Sequence, residues 1–87
     1  MTCVILFNSV HHVIKTEKLL KGKGFQVDII PVPREISSDC GVAIEIREEI
    51  REAALRVIGE NRIPVHEYYT RHNGRFEKSF ECEVQAD

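Results

Sequence analysis

The 87-residue chain suits one compact domain, residues 1–87, and a chain this short buries only about 60% of its unfolded surface. Its make-up, 43% hydrophobic and 30% charged, is that of a globular protein rather than a disordered or fibrous one. Twelve basic and 14 acidic residues leave a formal charge of -2 and no basic field for nucleic acid, and the opening apolar run is far shorter than the roughly 20 residues that span a bilayer. The expectation is a cytoplasmic protein with neither nucleic acid nor membrane as its partner.

Cys3 to Phe7 is apolar and β-branched and stops at Asn8-Ser9, which predicts a buried strand running into a helix cap. A helix follows over Val10 to Lys21, with Val10, Val13, Ile14 and Leu20 inward, Lys15, Lys18 and Lys21 outward, and Gly22 and Gly24 ending it. Phe25 to Val32 predicts a second strand, placed at a sheet edge because Pro31 and Pro33 cannot donate to a ladder. Val42, Ile44 and Ile46 alternate as in a strand, although Ala43, Ile46, Ile50, Ala53 and Val57 also fit helical spacing. We assign a strand to about Ile46 and a helix over roughly Arg47 to Gly59, with Ile50, Ala53, Ala54, Val57 and Ile58 inward and the Glu52–Arg56 pair on a solvated face. Asn61 and Pro64 end that helix. Val65 to Arg71 and Phe76 to Val84 flank Asn73-Gly74, a dipeptide that favours a two-residue hairpin. The order β-α-β-β-α-β plus one strand predicts an α+β fold: a ferredoxin-like sandwich with an extra C-terminal strand in a β-hairpin.

Three cysteines, Cys3, Cys40 and Cys82, with no CxxC pair support neither a disulfide framework nor a zinc knuckle and leave at least one free thiol. Cys3 opens an apolar strand and Cys82 alternates with Phe80 and Val84, so both read as structural. Cys40 differs, because it ends the connection Arg34-Glu-Ile-Ser-Ser-Asp-Cys40 and precedes Gly41, whose missing Cβ permits close approach to the sulfur. Arg34, the Ser37 and Ser38 hydroxyls and nearby backbone N–H groups are placed to favour a thiolate, while Asp39 opposes it. The alternative is a small buried cysteine heading a strand. His11 and His12 start the first helix near this connection, but adjacent helical residues point apart and do not make a metal site. His66 and His72 read as surface residues of the hairpin, and Tyr68 and Tyr69 as sheet residues. Gly22-Lys-Gly24 sits at a helix end and makes no phosphate loop. No cofactor is indicated.

The run Phe7-Asn-Ser9, the helical Glu17-Lys-Leu-Leu20 and above all Pro31-Val-Pro-Arg-Glu-Ile-Ser-Ser-Asp-Cys-Gly41 resemble the selenium/sulfur carrier protein-like family of small proteins. The resemblance extends to about Tyr68, is most specific over Pro33 to Gly41 and does not include the terminal hairpin. In that family the domain stands alone or follows a sulfur-relay domain in selenium-metabolism proteins. The resemblance therefore implies a carrier of reduced sulfur or selenium on Cys40, a persulfide or selenosulfide, working between a donor and an acceptor protein. The Cys-Pro-x-Pro motif of the relay domain is absent, since no cysteine precedes Pro31-Val-Pro33.

Two functions stand at this level. One is the carrier, which relays a group without enzymatic turnover, any sulfurtransferase activity being weak. The other is a non-catalytic regulatory or assembly module that uses its sheet and hairpin to bind a partner or form a homodimer. The apolar Phe76, Phe80, Cys82 and Val84 call for a cover, while Glu77, Lys78, Glu81 and Glu83 disfavour open-ended pairing, so a closed dimer is expected. Cys3→Ala and Cys82→Ala are predicted to cost about 1 kcal/mol each in chemical denaturation and to leave chalcogen loading intact. Loss of loading in folded Cys82→Ala would instead reveal a Cys40/Cys82 redox pair.

Overall fold

The computed structural model describes residues 1–34, 36 and 41–79. Five strands and two helices follow in the order β1 (Thr2–Leu6), α1 (Val10–Gly22), β2 (Val27–Pro31), β3 (Val42–Arg47), α2 (Arg51–Glu60), β4 (Glu67–His72) and β5 (Arg75–Ser79), with a 3-10 turn at Glu48–Ile50 before α2. The strands form one sheet in the order β2-β3-β1-β4-β5, and every neighbouring pair is antiparallel. The predicted fold class holds as a small mixed domain with two helices and a five-stranded antiparallel sheet. The ferredoxin-like sheet has four strands, and β5 has no counterpart in it.

The continuous apolar run of β1 has a simple cause. Cys3, Ile5 and Phe7 face the helices and pack with Val13, Leu20, Ala54 and Ile58, while Val4 and Leu6 face the opposite side with Ala43 and Ile36. A strand covered on both faces has no room for polar alternation. Strand β2, at the edge as predicted, ends in Pro31.

Helix α1 starts at Ser9, whose Oγ accepts from the His11 N–H at 3.1 Å, as the sequence signals. Its buried stripe is Val13, Thr16 and Leu20, whereas Val10 and Ile14, expected inward, are 45% and 43% exposed. At 3.6 residues per turn the line through Val13, Thr16 and Leu20 is centred about 90° around the helix from Val10 and about 130° from Ile14, which turns both away from the sheet. Helix α2 begins four residues later than predicted because β3 continues through Arg47 and the 3-10 turn follows it. Neither the turn nor α2 has a side-chain N-cap, and Arg51 pairs with Glu48 at 3.1 Å there. Glu52 and Arg56 are both exposed.

Both helices end in the same way. Phe25 N–H reaches the Leu20 carbonyl and Gly24 N–H the Lys21 carbonyl; Ile63 N–H reaches Ile58 and Arg62 N–H reaches Gly59. Each pattern needs a left-handed residue after the cap. Gly24 meets this at φ 87°, but at the second helix the position is held by Arg62 at φ 57°. Arg62→Gly is therefore predicted to stabilise the fold by about 0.5–1 kcal/mol, read as a higher denaturation midpoint at unchanged slope. A lower midpoint would show that the arginine side chain contributes more than its backbone strain costs.

Candidate functional site

The connection between β2 and β3 is tied to the sheet at its described points. Its N–H and carbonyl groups extend the ladder one step beyond the strands, Val32 N–H donating to the Gly41 carbonyl at 3.1 Å. Pro33 then opens a tight turn, closed by the Ile36 N–H on the Pro33 carbonyl at 3.0 Å. Ile36 is only 6% exposed and packs on the helix-free face with Val4, Leu6 and Ala43, flanked by Ile30, Val32, Tyr69 and Phe76. Burying such a side chain contributes about 1.5–3 kcal/mol, so this connection covers the second face of β1 rather than standing off the domain.

Of the predicted site residues, Arg34 and Gly41 are both exposed, and Gly41 has φ 81°, a left-handed backbone that favours glycine. Among the described residues, no atom beyond its chain neighbours lies within 4 Å of where its Cβ would stand. Cys40, Ser37 and Ser38, together with Glu35 and Asp39, lie outside the described residues. Cys82 and the predicted strand beyond Ser79 lie outside them too. Cys3 is fully buried in the core, in keeping with a structural thiol.

The register fixes which end of the sheet Gly41 occupies. Leu6 pairs with Ala43, so two residues further Gly41 stands opposite Asn8, immediately before the Ser9 cap of α1. The N-terminus of α1, with exposed His11 and partly buried His12, thus stands at the end of the sheet where β3 begins. His66 is there as well, its N–H on the Leu6 carbonyl at 2.9 Å, and is exposed as predicted, like His72 at the other end of β4. Among the described residues, no three histidine, cysteine or acidic side chains come together to hold a metal ion.

Two shallow clefts flank the connection on the helix-free face. One is lined by Ile30, Pro31, Pro33, Arg71, Gly74 and Phe76; the other adjoins it at Gly74 and Phe76 and reaches Ile36, Tyr69 and Arg75. Arg71 lies over the Phe76 ring, 5.5 Å from its centroid, and bonds Glu45 at 3.2 Å, while Thr2 Oγ1 donates to the same carboxylate at 2.7 Å. Tyr69 donates its hydroxyl proton to Glu67 at 2.9 Å. This aromatic and cationic wall escapes the sequence reading, although Glu67, Tyr69 and Arg71 alternate along β4 and Ile36 is the one apolar residue in a polar connection. Tyr68, on the other face, is a fully buried core residue, as expected of a sheet position.

The family model described as "Putative Se/S carrier protein-like" matches residues 2–70. No curated protein and no solved structure matches the chain.

Ile36→Ala should cost about 2 kcal/mol and release the connection from the sheet. The Val32 amide, bonded to Gly41, should then exchange with solvent faster than amides in the β1–β3 ladder. Unchanged Val32 protection would mean that Ile36 does not hold the connection.

Proposed function

The chain belongs to the putative Se/S carrier protein-like family, and from that premise we propose that it carries reduced sulfur or selenium on the Cys40 thiol. The observation that supports the reading is the connection itself, pinned by buried Ile36 on one side and by the Val32–Gly41 bond on the other, with Arg34 and Gly41 left exposed. A pinned segment can present a reactive group in one place without an enclosed pocket. On this reading the first four strands and two helices are the ferredoxin-like β-α-β-β-α-β arrangement, with β5 appended. No described helix is long and apolar enough to cross a membrane, and the working compartment is proposed to be the cytoplasm.

The chemistry is a transfer without net redox change. Cys40 loses its proton, and the thiolate attacks the outer chalcogen of a donor persulfide or selenosulfide. The donor's S–S or S–Se bond breaks, its cysteine leaves as the thiolate, and a new bond forms on Cys40. An acceptor nucleophile later takes the outer atom and returns Cys40 to the thiolate. One cysteine suffices, with no resolving partner and no enzymatic turnover. Arg34 favours the thiolate and the anionic donor, Ser37 and Ser38 supply hydrogen bonds to it, and Gly41 leaves the approach clear. Donor and acceptor are proteins bearing such groups.

The second reading, a non-catalytic binding or assembly module, draws on one feature, the outer edge of β5, which is unpaired among the described residues.

Intact mass after incubation with a small persulfide donor distinguishes the two readings. The native chain should gain one sulfur, removable by reductant, and Cys40→Ser should gain none; equal gain on both chains would move the chemistry away from Cys40. Arg34→Ala should raise the Cys40 thiol pKa in an alkylation-rate titration. An unchanged titration would assign the stabilisation to backbone N–H groups.

A further inference from the structure

We propose that β5 is a self-complementary edge at which two copies of the chain join their sheets, in a register centred on Phe76. The sheet has two edges, and they are not equivalent. Strand β2 ends in Pro31, which offers no N–H, and places exposed Asp28 beside Glu45 of β3, so it is a poor edge to extend. Among the described residues, strand β5 pairs with β4 alone, and it contains no proline.

The turn determines which groups of β5 face outward. Asn73 and Gly74 have φ 52° and 78°, the two-residue turn of a tight hairpin, and His72 pairs with Arg75 across it. In such a hairpin the flanking pair exchanges both backbone hydrogen bonds, so Arg75 and Glu77 point their N–H and C=O groups toward β4. Phe76 points its own toward the open edge. An antiparallel partner strand can therefore form a doubly bonded pair centred on Phe76, the two chains being related by a two-fold axis.

Charge selects that register. Centred on Phe76, it places Arg75 opposite the partner's Glu77 and Glu77 opposite the partner's Arg75, two ion pairs on one face of the joined sheet. Shifted by one residue and centred on Glu77, the join opposes Glu77 to the partner's Glu77, a like-charge pair at the axis. Arg75 and Glu77 are both exposed, and neither has an ion-pair partner among the described residues. Phe76 is partly buried and would meet the partner's Phe76 as an aromatic cross-strand pair. Because Phe76 also walls both clefts beside Ile36, the second copy would line the approach to the β2–β3 connection. The contact closes on itself and leaves only the β2 edges free, so it ends at two copies.

Sedimentation of the full chain at high micromolar concentration tests this without reference to Cys40 loading. The wild-type chain should be a dimer. Arg75→Glu and Glu77→Arg each turn two attractive pairs into two repulsive ones and should each weaken association at least about tenfold. An equimolar mixture of the two variants restores both attractions and should dimerise where each alone does not. A monomeric wild-type chain, variants that dimerise as well as it does, or a mixture that stays monomeric would each overturn the proposal. Both substitutions are at exposed edge positions, and circular dichroism matching the wild type establishes that each variant is folded.

Discussion

Strand β1 has no face in water, and the rest of the molecule follows from covering it twice. Toward the helices, Cys3, Ile5 and Phe7 are sealed by the stripe Val13, Thr16 and Leu20 and by Ala54 and Ile58. Two helices suffice for that side. On the other side no described helix covers Val4 and Leu6, and the cover is a connection, with Ile36 set among Ala43, Tyr69 and Phe76. Leaving those side chains wet would forfeit a few kcal/mol, a large fraction of the stability of a domain this small. The described residues of the segment proposed to carry chemistry are thus held by the same contacts that complete the fold.

That double duty is compatible with the proposed carrier role. A catalytic pocket encloses its substrate and needs walls, whereas a carrier must meet two partners in turn and needs an accessible group in a defined position. The helix-free face has shallow clefts, an arginine held over Phe76 and by Glu45, and a backbone opening at Gly41. This is the surface on which the proposed donor and acceptor would dock. The open edge of β5 adjoins the same clefts, so self-association and partner approach would share one side of the molecule.

The sequence was most legible where local chemistry and burial agree. Ser9 as a cap, Pro31 as an edge marker, Asn73-Gly74 as a hairpin turn and the alternation that makes Val42–Arg47 a strand all operate within a few residues. It was least legible where tertiary contact overrides pattern. Val10 and Ile14 carry the apolar signal of a core face, yet Thr16 takes the buried place, its hydroxyl without a hydrogen-bond partner among the described residues. Arg62 gives no hint of a left-handed backbone, which is imposed by the hydrogen bonds that close α2. Ile36 was visible only as an apolar residue in a polar loop, because its partners are far away along the chain on β1, β3, β4 and β5. Cys40, by contrast, was singled out by its neighbours in sequence, and the role proposed for it rests on those neighbours and on the family.

The most direct test is the rate at which Cys40 reacts with a mild alkylating reagent at neutral pH, in the folded chain and in the same chain unfolded by urea, with Cys3 and Cys82 replaced by alanine. If the fold presents Cys40 as a thiolate ready to accept sulfur or selenium, the folded chain reacts faster than the unfolded one. A folded chain whose Cys40 reacts more slowly than the unfolded thiol, or not at all, would contradict the carrier account.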